Sequence, residues 1–139
     1  MSIPVLVLLG FAAWTLVVLM GSIGVYRWSR ILKGRASVSE WRADVPQGSE
    51  WYQRAMRAHM NCVENLPVYG AIVLAGFATD VSGRDLDGLA LTLLAARIGQ
   101  SLVHIGAKQT EPVAVFRFTL FFVQIVCMAA MAMLIAVRA

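Results

Sequence analysis

The stretch RAMRAHMNCVENLPVY, residues 54–69, places charged side chains in a segment that continues apolar as far as Thr79. Because an α-helix has about 3.6 residues per turn, Arg57, Asn61 and Glu64 share one face of a predicted helix, at positions i, i+4 and i+7. A charged side chain within a membrane is costly and marks a functional site by default. The stretch therefore predicts a binding site in a membrane helix.

The spacing of the two opposite charges restricts how they are paired. Arg57 and Glu64 lie about 10 Å apart along the helix axis, too far for an ordinary ion pair between side chains of one helix. Each needs a partner on a neighbouring helix, or a ligand with charges of both signs spread over about 10 Å, the reach of an extended tripeptide. Pro67 leaves the carbonyl of Val63 without its helical hydrogen bond, so we expect a kink there.

The composition places the whole chain in a membrane. Of its 139 residues, 59% are apolar and 14% are charged, whereas soluble domains average about 45–50% and about 25%. The length allows four spans of about 20 residues and no soluble domain beside them. We expect an all-α integral membrane protein, a single domain formed by a four-transmembrane-helix bundle. The predicted spans are residues 3–26, 55–79, 86–107 and 113–137.

The distribution of basic residues predicts the orientation. The long polar connection, residues 27–53, has an excess of lysine and arginine, and Arg54 and Arg57 follow it. The opposite side has only Arg84 and Arg138. Because positively charged loops stay in the cytoplasm, we expect the N-terminus outside and the long loop inside. The net charge of +4 reflects this topology, and we expect no nucleic-acid partner.

The third predicted span carries a second polar face. Arg97, Gln100 and His104 stand at i, i+3 and i+7, near the same end of the membrane as Arg57 and Glu64, and we expect the two faces to meet. Arg97 then either forms a buried ion pair with Glu64 or contacts a ligand, and both alternatives stay open. A neighbouring subunit and a zwitterionic ligand would complete such a site.

Other catalytic classes lack their residues. His59 and His104 are the only histidines, and no third ligand of zinc type lies near them, so we expect no metal site. No carboxylate is positioned to orient His104 as in a serine-hydrolase triad. Cys62 and Cys127 both lie in predicted spans and form no disulfide framework.

The segment RAHMNCVENLP, residues 57–67, resembles the second-helix signature of the MAPEG family, the membrane-associated proteins in eicosanoid and glutathione metabolism. This family includes microsomal glutathione transferases and the leukotriene-C and prostaglandin-E synthases. The resemblance covers nearly the whole chain and points to a bacterial-type member similar to the microsomal glutathione transferases. It implies a homotrimer in a membrane, here a bacterial inner membrane, with glutathione bound as co-substrate between protomers near the cytoplasmic face.

The resemblance also implies roles for the polar side chains. The guanidinium group of arginine donates two parallel hydrogen bonds, which suits a carboxylate. We therefore expect Arg54 and Arg57 to bind the carboxylates of glutathione. Glu64 would take the ammonium or brace Arg97, Asn61 would hydrogen-bond the peptide, and His59 would contact the ligand of a neighbour. The expected glutathione-binding residues are Arg30, Arg54, Arg57, His59, Asn61, Glu64, Arg97, Gln100 and His104.

The chain departs from the family pattern at the catalytic positions. Gln100 or His104 stands where the eicosanoid enzymes carry tyrosine, and Ala114 stands where a thiolate-activating arginine follows the proline. Arg117, about 4.5 Å or one helical turn further on, is the nearest substitute and our predicted catalytic residue. Met60 replaces an arginine of the prostaglandin branch, so prostaglandin synthesis is not implied.

These observations favour a membrane-bound, glutathione-dependent transferase or peroxidase. It would present the thiolate of glutathione to lipophilic electrophiles or lipid hydroperoxides that arrive from the bilayer. One alternative is a non-enzymatic membrane protein of the same fold that binds lipid or acts as a scaffold. Another is a small transporter or channel subunit, because Arg and Glu within a membrane also mark permeation paths. The uncharged outer halves of the predicted helices argue against the transporter.

Overall fold

Helices form all the long elements of the computed structural model, which describes residues 1–42 and 45–139. Within those ranges there is no β-strand. The α-helices are α1 (Ile3–Val18), α2 (Val25–Leu32), α3 (Glu50–Ala78), α4 (Arg84–Gly106) and α5 (Glu111–Arg138). A π-helical segment, Leu19–Gly24, joins α1 to α2, and a short 3-10 turn, Val38–Glu40, lies in the following loop. The expected all-α class is confirmed.

Three helical segments of the described chain are long and apolar enough to cross a membrane. They are Ile3–Leu32, Arg84–Gly106 and Glu111–Arg138. Helix α3 has 29 residues and packs against the other three segments, but its charged and amide side chains make it more polar than they are. This pattern agrees with an integral membrane protein, and the polar helix is the one that carries the sequence motif.

The long helices alternate in direction, so the bundle has two distinct ends. The N-terminus, the turn 79–83 and the end of α5 meet at what we call the short-turn end. There the Tyr69 hydroxyl donates to the carbonyl of Pro4 at 3.0 Å, and Arg138 Nη1 donates to Asp85 Oδ1 at 3.1 Å. The loop 33–49 and the turn 107–110 form the opposite end, which we call the loop end.

The core has an apolar half and a polar half. The Phe11 and Tyr69 rings pack 6.2 Å apart within the apolar half. This half contains Val7, Phe11, Tyr69, Val73, Leu86, Ala90, Leu93, Met128, Met131 and Ile135. Because lipid is as apolar as these side chains, close packing between helices rather than transfer from water holds them together. Buried polar side chains take over toward the loop end, namely Arg97, Gln100, Ser101, His104 and Gln124.

Two helix boundaries differ by five residues or more from those expected. The first helical segment continues to residue 32 instead of 26, because the π-helical segment carries it past its glycines without a break. Helix α3 begins at Glu50 instead of residue 55, and Ser49 caps it by accepting a hydrogen bond from the amide of Tyr52 at 3.3 Å. The polar connection is therefore shorter than the predicted 27–53. Helix α3 continues through Pro67 as one element.

An aromatic cluster fixes the loop against the helices at the loop end. Tyr26 stacks on Tyr52 with ring centroids 4.5 Å apart, and Trp41 packs edge-on against Tyr26 at 5.9 Å. Arg27 donates from Nε to the Tyr52 hydroxyl at 2.7 Å. Gly48 has a φ of 79°, and a Cβ there would lie 2.7 Å from the Tyr52 ring, so glycine is required. The cluster thus holds the last loop residues over the start of α3.

Candidate functional site

One face of α3 carries Arg57, Asn61 and Glu64, which we call the outer group. Arg57 and Glu64 are exposed on the surface of the subunit, and Asn61 is half-buried beside them. Within residues 1–42 and 45–139 none of the three forms a hydrogen bond or an ion pair. The charges of the sequence motif therefore share one face, and that face is directed out of the subunit.

Two grooves flank Arg57 at the loop end. The first has a volume of about 250 Å³ and is lined by Tyr52, Gln53, Met56, Arg57 and Met60 of α3 and by Arg42 and residues 45–47 of the loop. The second has a volume of about 340 Å³ and is lined by Glu50, Gln53, Arg54, Arg57, Lys108 and Gln109. Arg54, Arg57 and Lys108 outnumber the one carboxylate of the second groove, so this groove favours an anionic group.

The remaining predicted ligands of α2 and α3 have other surroundings, and His59 lies on the side of α3 opposite Arg57. Arg54 donates from Nε to the carbonyl of Ile105 at 3.4 Å, which ties the first turns of α3 to the end of α4. The Arg30 guanidinium lies 5.7 Å from the centre of the Tyr26 ring, in cation–π geometry. His59 is half-buried, and its Nδ1 atom has no hydrogen-bond partner. No group of three or more His, Cys, Asp or Glu side chains in the described chain could hold a metal ion.

A second set of polar side chains points into the core. We call Arg97, Gln100 and His104 of α4, with Gln124 of α5, the inner group. Arg97 has no exposed surface, and its Nη1 donates to Gln100 Oε1 at 3.0 Å while its guanidinium lies 5.5 Å from the centre of the Phe11 ring. Gln124 Nε2 donates to the same oxygen of Gln100 at 3.1 Å. These amides hold Arg97 from α4 and α5.

The inner and outer groups do not meet as the sequence suggested. The polar faces of the second and third long helices meet only in part within the subunit: Arg97 hydrogen-bonds Gln100 and lies over the Phe11 ring of α1, while Glu64 of α3 lies close enough to act on it electrostatically. The alternative of an ion pair between Arg97 and Glu64 is not formed, since Arg97 hydrogen-bonds Gln100 and Glu64 stays exposed. Helical spacing gave the composition of each face but not the direction in which it points.

Arg117, the predicted catalytic residue, lies next to His104. Its Nη1 is 3.1 Å from His104 Nδ1, and the Arg117 carbonyl accepts a hydrogen bond from Gln100 Nε2 at 3.2 Å. A guanidinium can only donate, so His104 Nδ1 must accept and the ring proton must sit on Nε2. The structure thus brings three predicted site residues together at the loop-end side of the core.

Sequence reasoning missed Gln124. Its side chain has no exposed surface, and it connects α5 to the inner group through Gln100. The signal was present, because Gln124 is the one amide in the uncharged segment 118–137. Buried polar groups in a membrane need partners, so an isolated glutamine in such a segment predicts an interhelical hydrogen bond.

Comparison with known proteins agrees with the motif and the fold. The model of the MAPEG family matches residues 5–137, nearly the whole chain. No curated protein and no solved structure matches the chain. A match of this extent shows the family, and the apolar helices place the protein in a membrane. The chain therefore belongs to the MAPEG family of membrane proteins, whose members act in eicosanoid and glutathione metabolism.

Proposed function

We propose that this protein binds glutathione on the outer face of α3 and presents its thiolate to lipophilic molecules from the bilayer. The observation that carries the proposal is the outer group itself. Arg57 and Glu64 are opposite charges, both exposed and neither in a hydrogen bond or ion pair within the described chain, at one end of an apolar bundle. An unpaired charge in that position is energetically costly unless a ligand or a neighbouring subunit supplies a partner of opposite charge.

The chemistry of glutathione fits this face. Its carboxylates suit the forked donors of arginine, and Arg57 lines both grooves while Arg54 lines the second. Its ammonium suits Glu64, which lies about 10 Å along the helix axis from Arg57, the span of an extended tripeptide. Asn61, between them, would hydrogen-bond a peptide group. Arg30 of α2 would contact this ligand, and His59, on the opposite side of α3, would contact the ligand of a neighbour.

The inner group would act on this site indirectly, through the packing of the helices. Arg97 and Gln100 are buried on α4, so they would act on the ligand through the packing of α4 against α3. His104 would orient Arg117, whose guanidinium is the nearest candidate for stabilising a thiolate. A free thiol has a pKa of about 8.5, and each unit by which a cation lowers it corresponds to about 1.4 kcal/mol.

Two reactions of the thiolate are proposed. In the transfer reaction its sulfur forms a bond to an electrophilic carbon, and the leaving group departs with the bonding pair and takes up a proton. In the peroxidase reaction the sulfur attacks a hydroperoxide oxygen, the O–O bond breaks, and an alcohol leaves. The resulting sulfenic acid then condenses with a second glutathione, which gives the disulfide and water. Neither reaction needs a metal ion.

The assembly we propose is a homotrimer in which all four long helices cross the membrane. The outer face of α3 would then be covered by a neighbouring subunit, so that glutathione lies between protomers. The loop end, with its excess of basic residues, would face the cytoplasm, and the N-terminus would face outward across a bacterial inner membrane.

Glutathione titration of the purified protein and of Arg57→Ala tests the binding site. Loss of one charge-assisted contact weakens binding about 10- to 100-fold. Arg57 has no partner in the described chain, so the melting temperature without ligand should stay unchanged. Arg84→Ala is the matched control, because Arg84 is an exposed arginine at the other end of the bundle. Absence of saturable binding at millimolar glutathione would refute the proposal.

A scaffold or lipid-binding protein of the same fold is the second candidate. It is favoured by Arg117, which is half-buried and directs Nη1 at His104 rather than at an open groove. Ultraviolet absorbance on mixing with glutathione separates the candidates, since thiolate forms only in the enzyme. Turnover of a chlorodinitrobenzene-type electrophile that falls in Arg117→Ala supports the enzyme, and binding without thiolate or turnover supports the second candidate.

A further inference from the structure

A pocket opens at the short-turn end, at the other end of the bundle from Arg57. It has a volume of about 290 Å³ and lies between α3, α4, α5 and the turn 79–83. Its floor is formed by the buried side chains of Val73, Leu86, Met131 and Ile135. A cavity of about 150 Å³ with such a lining holds a benzene molecule. This pocket therefore has room for an apolar group about twice that size.

Two carboxylates stand at the rim of the pocket. Asp80, in the turn after α3, is exposed, and Asp87, in the first turn of α4, is half-buried. Neither side chain forms a hydrogen bond or an ion pair in the described chain, and the Met1 amino group, also at the pocket, pairs with neither. The neighbouring Arg138 is occupied, because it pairs with Asp85. The rim of the pocket is therefore negatively charged.

Asp80 occupies a position at which the local structure disfavours aspartate. Its amide donates to the carbonyl of Phe77 at 3.3 Å. The next amide, of Val81, donates to the carbonyl of Gly76 at 3.0 Å, which ends α3 in a Schellman motif.

The motif requires one residue in the left-handed conformation, where glycine or asparagine is usual, and here that residue is Asp80, with a φ of 55°. Its negative charge also lies at the negative end of the α3 dipole. The end of the helix does not explain this carboxylate, whereas a bound cation would.

We propose that this pocket binds a lipophilic amine, with its apolar body on the floor and its ammonium group beside the carboxylates of Asp80 and Asp87. Ammonium and carboxylate groups form charge-assisted hydrogen bonds, and the buried floor contributes hydrophobic binding. A zwitterionic phospholipid suits the pocket less well, because its phosphate would face the same carboxylates. The site lies at the opposite end of the bundle from the outer group and does not depend on the proposed function.

Calorimetric titration of the purified protein with phenylbutylamine, in a neutral maltoside detergent, tests the proposal. Phenylbutanol and phenylbutyrate are the matched probes, because they keep the apolar body and replace the ammonium with a neutral or an anionic group. We expect the amine to bind about tenfold more tightly than the alcohol, and the carboxylate to bind most weakly.

Asp80→Asn separates charge from conformation, since asparagine also adopts the left-handed conformation but carries no charge. The variant should bind phenylbutylamine about tenfold more weakly and phenylbutanol within about twofold of the wild type. Without ligand it should melt at or above the wild type, because a negative charge has been removed from the end of α3. Glu111→Gln, which removes an exposed carboxylate at the loop end, is the control and should bind the amine as the wild type does.

A phenylbutylamine with bromine on its ring locates the site directly. Crystals grown with it should show an anomalous peak in contact with Leu86, Met131 and Ile135. Absence of amine binding, equal binding of the amine and the alcohol, or unchanged amine binding in Asp80→Asn would overturn the proposal. So would a bromine peak elsewhere, or an Asp80→Asn variant that melts below the wild type, since the carboxylate would then stabilise the turn.

Discussion

Arg57 and Arg97 belong to neighbouring helices at the loop-end side of the same bundle, yet their surroundings are opposite. Arg57 is exposed on the outer face of α3 and has no partner in the described chain. Arg97 has no exposed surface and is held by Gln100 above the Phe11 ring. The comparison teaches that residue type and depth do not decide what an arginine in a membrane does. Under the proposed function, the direction of the helix face decides whether an arginine binds a ligand or stabilises the fold.

The largest expected effect is on the inner side of this comparison. Arg97→Ala should lower the free energy of unfolding by about 3 kcal/mol, because truncation of a fully buried side chain leaves a cavity and frees Gln100. Arg97→Met keeps the volume and removes the charge, so it should cost less than about 1.5 kcal/mol. Denaturation followed by circular dichroism measures both. Equal losses in the two variants would mean that the charge, not the packing, stabilises the core.

An intermediate effect is expected on the outer side. Glu64→Gln keeps the shape of the side chain but removes the charge proposed to hold the ammonium of glutathione, so binding should weaken about 30-fold, or about 2 kcal/mol. The melting temperature without ligand should change by no more than a few degrees, since Glu64 is exposed and forms no hydrogen bond or ion pair in the described chain. Calorimetric titration with N-acetylated glutathione, which lacks the ammonium, is the control. If Glu64→Gln also weakens binding of that analogue, Glu64 does not act through the ammonium.

The smallest expected effect is a loss of stability on substitution of Gln124 in the inner group. Gln124→Leu removes the hydrogen bond to Gln100 and should cost about 0.6–1 kcal/mol, because interhelical hydrogen bonds in membrane proteins contribute modestly. Glutathione affinity should stay within twofold of the wild type. Stability and affinity measured on the same preparation check both expectations. A large loss of affinity with little loss of stability would place Gln124 in the ligand site and blur the distinction between the two groups.

The sequence predicted the all-α class and the shared face of the outer group, for physical reasons. Long apolar segments can only be helices in lipid, and the spacing of Arg57, Asn61 and Glu64 fixes a shared face in any α-helix. The start of α3 at Glu50 was missed because the Ser49 cap follows loop residues of mixed polarity. The extension of the first helix to Leu32 was missed because it passes through a π-helical segment with two glycines.

The inner group could not be predicted in the same way. A polar stripe on a helix has the same sequence pattern whether it faces a ligand, a neighbouring subunit or the core. The pattern of Arg97, Gln100 and His104 therefore did not show which way their face points. Their direction depends on Gln124 of α5 and Phe11 of α1, which contact them only in the folded bundle. Such contacts between distant segments are absent from local periodicity.

The most direct test of the account is the melting temperature of Arg57→Ala with and without saturating glutathione. The account predicts that the variant melts with the wild type in the absence of glutathione, and that glutathione stabilises the wild type several degrees more than the variant. A variant that melts well below the wild type without ligand, and that gains as much from glutathione, would contradict it. Arg57 would then serve the fold, as Arg97 does.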